Sequence, residues 1–189
     1  NFRYWSENNP KEIHERPLHS ERVTVWCALS RCGIIGPHFF EEDGNVVTVN
    51  SNRYANMLAE FFEPALQQRA FENVWFQQDG ATAHTARIAM NILRQMFPGQ
   101  LISRGEDIVW PSRSPDLTPC DFFLWGYLKA EVFKHRPRNL QDLKQAIREE
   151  VLRIPQAMLE RVHDSFRIRL QQCIDNHGHH LSDILFKRK

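Results

Sequence analysis

At 189 residues, 42% hydrophobic and 25% charged, the chain has the size and composition of one globular domain, which excludes wholesale disorder. No stretch approaches 18 uninterrupted apolar residues, and Cys27, Cys32, Cys120 and Cys173 form no CxxC pair, which excludes a hydropathy-type membrane span and a zinc ribbon and points to reduced intracellular thiols. Net charge is +1 but uneven: residues 1–128 hold 11 Lys/Arg against 15 Asp/Glu, and residues 129–189 hold 13 against 8.

Residues 1–22 read as mostly loop around a short extended run at Phe2–Trp5. With a polar start, no initiator Met and no leader pattern, they are expected to continue from a longer chain. Residues 23–29, apolar at nearly every position, predict a strand buried on both faces. After Gly33, residues 34–40 predict an antiparallel partner that Pro37 pushes towards an edge or a bulge. Residues 46–49 offer a third short strand. Asn50, Ser51 and Asn52 then offer caps for a helix whose stripe runs through Tyr54, Met57, Leu58, Phe61, Phe62, Ala65 and Leu66, bent at Pro64.

Residues 74–78 predict a short strand ending at Asp79-Gly80. A helix with Ala86, Ala89, Ile92, Leu93, Met96 and Phe97 on one face follows, and Pro98-Gly99 stops it. Residues 101–102 and 108–110 are the remaining strand material. From Asp121 onward the pattern is helical, with Asn139 capping one helix, Pro155 opening the next and Gly178 closing it. The order predicts an α/β domain with a mixed sheet, its core in residues 1–134 and a helical extension of the same domain in residues 135–189.

Two acids stand out by placement. Asp79 ends an apolar strand, where open α/β sheets gather ligand-binding groups, although Asp-Gly is also a common turn pair. Asp121 opens an aromatic helix behind a Pro-rich loop that holds Asp116; an acid there also suits the helix dipole. The acidic front half and basic back half fit a carboxylate metal site beside a polyanion-binding surface, or a solvated helical face. His177-Gly-His-His180 lacks partners at metal-ligand spacing and reads as a loop. Lys187-Arg-Lys189 reads as a frayed tail or a phosphate contact. Phe122, Phe123 and Trp125 read as core packing.

Together, Phe76-Gln-Gln-Asp-Gly-Ala-Thr-Ala-His84 and Trp110-Pro-Ser-Arg-Ser-Pro-Asp-Leu-Thr-Pro-Cys-Asp-Phe-Phe-Leu-Trp-Gly126 resemble the catalytic domain of mariner-like DNA transposases. The likeness extends to Phe2–Pro10, the strand at 23–29 and Asn52-Arg-Tyr54. It implies a ribonuclease-H-like mixed sheet flanked by helices and a cut-and-paste activity of metal-dependent DNA cleavage and strand transfer. It also implies two Mg²⁺ (or Mn²⁺) ions, double-stranded DNA partners at transposon ends and target, a homodimer on paired ends, and a nuclear location. Neither a membrane nor a small-molecule substrate is implied.

By the same resemblance Asp79 and Asp121, with 41 residues between them, match the second and third metal-binding acids. Asp116 shapes the loop, and His84 matches a recurrent position of undefined role. The family's first acid lies on a central first strand before a segment like Phe2–Glu7, so that strand and acid are expected to precede this chain. Glu7 lies on the wrong side of the motif to take the role. The chain as given is therefore expected to be inactive in cleavage. The competing expectation is a host-recruited, non-catalytic DNA-binding or dimerisation module on the same fold. A ribonuclease H is disfavoured by the Trp-Pro-Ser-Arg-Ser-Pro-Asp-Leu segment.

Overall fold

A computed structural model describes residues 22–69, 73–106, 108–111, 113–178 and 181. The expected positions at Phe2–Pro10, Glu7, His179, His180 and Lys187–Lys189 lie outside them. Strands β1 (Val25–Ser30) and β2 (Gly33–Phe39) form an antiparallel hairpin. Period-two alternation sends Trp26 and Ala28 into one apolar cluster, while Val25, Cys27 and Leu29 enter another. Both faces of β1 are thus covered, as its continuous apolar run predicts. The ladder slips between Trp26 and Ala28, leaving Cys27 opposite Gly36-Pro37, so Pro37 sits at a bulge. Gly36 has φ +119°, and a Cβ there would lie 2.9 Å from the Trp26 carbonyl oxygen, which only glycine avoids.

Strands β3 (Glu41–Glu42) and β4 (Asn45–Val46) close over Asp43-Gly44, both at positive φ, as tight hairpin turns require. The strand expected at 46–49 is therefore confined to its first residue, because the chain must already turn towards the cap at Asn50. The Asn50 side chain accepts the Arg53 N–H (2.9 Å) and starts α1 (Ser51–Met57). The helix passes through a π turn at Leu58–Phe62 into α2 (Glu63–Gln67). Pro64 has no N–H to continue the α ladder, and the departure expected there takes the form of this π turn, which ends two residues earlier.

The parallel part runs β5 (Phe76–Gln77), α3 (Arg87–Met96), β6 (Leu101–Ser103) and β7 (Ile108–Val109), with β6 between its two partners. Leu101 and Ser103 face α3, whereas Ile102 joins Phe166, Leu170 and Cys173 on the other side. A π turn at Cys120–Leu124 leads into α4 (Trp125–Val132); α5 (Leu140–Arg153) and α6 (Gln156–Asp175) follow. Asn139 caps α5 through the Asp142 N–H (2.8 Å). Gly178, at φ +81°, closes α6 by returning its N–H to the Cys173 carbonyl (2.8 Å).

The α1, α2 and α3 helices pack on one face of the strands, and α4 and α5 on the face presented by Cys27, around Leu124, Leu128, Leu143 and Ile147. Both strand directions expected of a mixed sheet are present. Among the described residues, however, β1 bonds only to β2 and β5 only to β6, so the antiparallel and parallel parts are not bonded to each other. No helix of the described residues is long and apolar enough to cross a membrane.

Candidate active site

Alternation along β5 decides what faces the site. Phe76 packs into the core beneath α1 and α3, and Gln78, 6% exposed, follows it to that side. A primary amide has two donors and one acceptor to place, and burial obliges it to place them. Gln78 accepts from the Tyr54 hydroxyl (2.9 Å) and donates to the His84 carbonyl (3.1 Å) and Ser103 Oγ (3.1 Å), with Met90 Sδ at 3.2 Å. This hub fixes the turns that follow the strand. Asp79 Oδ1 accepts the Ala81 N–H (3.1 Å) and lies 2.5 Å from His84 Nδ1. A carboxylate oxygen only accepts, so the proton of that contact belongs to Nδ1. The His84 ring lies 4.4 Å from that of Tyr54, which holds its plane. The His84 hydrogen bond keeps the Asp79 carboxyl below its ordinary range despite partial burial, helped by the Ala81 N–H.

Gln77 takes the opposite face and donates to the Leu117 carbonyl (3.3 Å). Leu117 ends the 3₁₀ turn Pro115–Leu117, and the Thr118 carbonyl next accepts the N–H groups of Asp121 (2.8 Å) and Phe122 (3.0 Å). Asp121 thus sits in the first turn of a π segment, a geometry enriched at functional sites. From α6, Arg169 donates to the Asp116 carbonyl (3.2 Å) and lays its guanidinium 4.2 Å over the Phe122 ring. The Asp121 carboxylate accepts no hydrogen bond from the described residues. Burial raises its pKa, and the negative charge of Asp79 raises it further. The two acids, carried by different elements, therefore lie within one electrostatic neighbourhood.

Of the residues singled out in the sequence, the structure joins Asp79 to His84, puts Asp121 within reach of the Asp79 charge, and places Asp116 in the turn, its carbonyl held by Arg169. Phe123 and Trp125 pack with Leu124 in the core, and Phe122 lies beneath Arg169. Cys120 Sγ approaches the Cys27 carbonyl (3.8 Å), and burial pushes both thiols up, Cys120 to about 12, which makes them inert at neutral pH. Sequence reasoning gave no role to Tyr54, Gln77, Gln78, Ser103 or Arg169. Two amides interrupting a buried strand were the available signal for the glutamines; nothing local marks Arg169.

The basic excess is smaller as free charge than as a count. Lys144, 3% exposed, is paired with Glu41, Lys134 with Glu131, and Arg153 with Glu150. Lys129, Arg136, Arg138, Arg161 and Arg167 are exposed without an ion-pair partner among the described residues. Among the described residues no group of three or more His, Cys, Asp or Glu is arranged to hold a metal ion.

No family model matches the chain. It is 27% identical over 126 residues to the transposable element Tcb2 transposase of Caenorhabditis briggsae, an alignment covering 66% of this chain and 43% of that protein. The chain thus spans less than half the length of the curated relative it matches. Among solved structures it is similar to the Mos1 transposase catalytic domain with raltegravir and Mg (TM-score 0.69, 21% identity, 84% of this chain and 77% of that one). It is also similar to the Mos1 mariner paired-end complex with Mn (TM-score 0.73, 22% identity, 94% and 51%). The Mos1 strand transfer complex matches with TM-score 0.70 at 22% identity, over 95% and 51%. The fold is that of the Mos1 catalytic domain, ribonuclease-H-like, and the resemblance read from the motifs holds in both sequence and fold.

Proposed function

We propose that this chain supplies the catalytic-domain portion of a cut-and-paste DNA transposase, with Asp79 and Asp121 as carboxylate ligands of a divalent-metal site. The observation that carries the reading is that β5, which leads to Asp79, holds through Gln77 the turn that leads to Asp121, and that the charge of Asp79 opposes ionisation of Asp121. Like charges brought together on separate elements cost stability unless a cation joins them. The donor set fits Mg²⁺ or Mn²⁺: hard carboxylate oxygens, with Asp79 Oδ2 left free while Oδ1 is occupied by Ala81 and His84. A divalent ion held there would help to activate an attacking water or 3′-hydroxyl and to stabilise the leaving oxygen. The protein's share is positional. His84 and Ala81 fix one carboxylate, and the Thr118 carbonyl fixes the backbone that carries the other.

In this reading, water attacks a phosphodiester in line and releases a 3′-hydroxyl, which then attacks a target phosphodiester, joining to its phosphorus as the target's own 3′-hydroxyl leaves. A two-ion site would need a further carboxylate beside the two acids that the described residues supply. The chain is therefore expected to bind DNA, and nicking to need a carboxylate beyond Asp79 and Asp121. The exposed Lys129, Arg136, Arg138, Arg161 and Arg167 are candidate phosphate contacts. The Mos1 relatives solved as a paired-end complex and a strand transfer complex support DNA ends as partners. A homodimer on paired ends and a nuclear location complete the proposal.

The test is duplex DNA titrated with the chain at two salt concentrations, then Mg²⁺-dependent nicking by the chain and by a form extended upstream. Salt-weakened binding, with nicking only by the extended form and lost in Asp79→Asn, is the expected result. Binding without nicking in both forms would favour the non-catalytic module, and no binding at low salt would contradict the proposal.

A further inference from the structure

The geometry points to Arg169, on the C-terminal helix α6, as a positioning residue for Asp121; the inference rests on the metal-site reading above. Three contacts carry it. The Arg169 guanidinium donates to the Asp116 carbonyl (3.2 Å), in the turn that precedes the acid. The same planar group covers the ring of Phe122, the residue after the acid, at 4.2 Å. Its Nε donates to Ser165 Oγ (3.4 Å), one turn back on α6, which anchors the side chain to its own helix. Asp121 is thus flanked on both sides by points that one rigid fork holds.

The flanking matters because nothing else among the described residues holds the Asp121 side chain itself. Asp79 is oriented by bonds to its carboxylate, whereas Asp121 is oriented only through its backbone. That backbone is a π turn, with a looser hydrogen-bond pattern than an α-helix. On the opposite side, Gln77 holds the Leu117 carbonyl from the strand that leads to Asp79. Gln77 and Arg169 therefore grip neighbouring carbonyls of one turn from β5 and α6. Beneath them Trp110, Leu117 and Leu181 pack with Phe166, Leu170 and Cys173, so α6 is seated under the turn independently of the arginine. Removing the guanidinium should leave the helix docked and release the acid.

The test uses the full chain and Mn²⁺ alone, with binding followed by water-proton relaxation and folding by thermal unfolding. Arg169→Met keeps the aliphatic stem and removes the fork. We expect Mn²⁺ affinity to fall about tenfold, the low end for groups that orient metal ligands. Arg169→Lys, which keeps charge without the fork, should recover only part of it. In an Asp121→Asn background Arg169→Met should change affinity less than twofold, because no carboxylate is left to position. Wild-type affinity in Arg169→Met, when Asp121→Asn has lost it, overturns the positioning role and leaves the metal site standing. An equal tenfold loss in the Asp121→Asn background makes Arg169 a general structural element and also overturns it. Identical binding by wild type, Asp79→Asn and Asp121→Asn overturns the metal reading, and this inference with it.

Discussion

The two acids of the proposed site are held in opposite ways. Asp79 is held by its carboxylate: two donors occupy Oδ1, one of them seated on Tyr54 and tied through its carbonyl to the buried Gln78. Asp121 is held by its backbone, and its carboxylate feels the charge of Asp79 without a donor of its own among the described residues. The first arrangement lowers a pKa and the second raises one. A pair built in this way keeps one acid ionised and leaves the other in tension with it. A cation bound at the proposed site would relieve that tension. The lesson is that preorganisation and stored repulsion can be divided between neighbouring residues instead of being shared equally.

The comparison breaks first at the hub. Gln78→Ala strips the partner from a Tyr54 hydroxyl in a side chain only 1% exposed and loosens the His84 carbonyl. We expect a loss of about 2–3 kcal/mol in urea unfolding. The neighbouring Gln77→Ala, which gives up one partly buried bond at 3.3 Å, should cost no more than about 1 kcal/mol. Equal losses would mean that the Asp79 corner is not the more firmly built one.

His84→Ala sharpens the comparison through pH. A carboxyl whose folded pKa is lowered adds stability above its unfolded value, and that stability is lost as pH falls through the folded pKa. His84→Ala should therefore cost about 1 kcal/mol at neutral pH, a figure kept modest because the Asp79 side chain is 49% exposed. The gap from wild type should close as pH falls below 3.8, the ordinary Asp value. Unfolding midpoints at several pH values check this, and a gap that is constant with pH would detach His84 from Asp79.

Asp121→Asn carries the smallest effect, with the opposite sign. A carboxyl whose folded pKa is raised stabilises below its unfolded value and loses that contribution as pH rises through the folded one. Removing the charge should therefore stabilise the metal-free protein by no more than roughly 0.5 kcal/mol at neutral pH, a figure kept small because Asp121 is exposed and screened by solvent, with no gain below pH 3.8. Destabilisation at neutral pH would show that Asp121 is structurally satisfied and not under tension.

Much of the fold was legible because its signals are local. Asn50 and Asn139 are strong caps, Gly178 is a left-handed terminator, and the alternation at 25–29 assigns each residue to its face. Pro37 announced an edge or a bulge, of which the structure takes the bulge, whereas Pro64 announced a bend and not the π turn that replaces it. A missing N–H says where a ladder fails, while packing decides whether a bulge or a π turn absorbs the failure. The two acids were legible as endpoints of elements and through the family motifs. Their supports were not. Gln78 matters because of Tyr54, 24 residues away, and Arg169 because of a carbonyl 53 residues away, and no local pattern encodes such pairings. The charge count misled in one respect, since Lys144 and Arg153 pair with Glu41 and Glu150.

The central claim is that divalent cations would bind beside both acids, and metal-directed cleavage tests it most directly. Fe²⁺ substituted for Mg²⁺, with ascorbate and peroxide, generates hydroxyl radicals that cut the backbone only near the bound ion. The account predicts cuts in both segments 77–84 and 114–122, suppressed together by excess Mg²⁺ and by either Asp79→Asn or Asp121→Asn. Cuts confined to one segment, or surviving both substitutions, would contradict it.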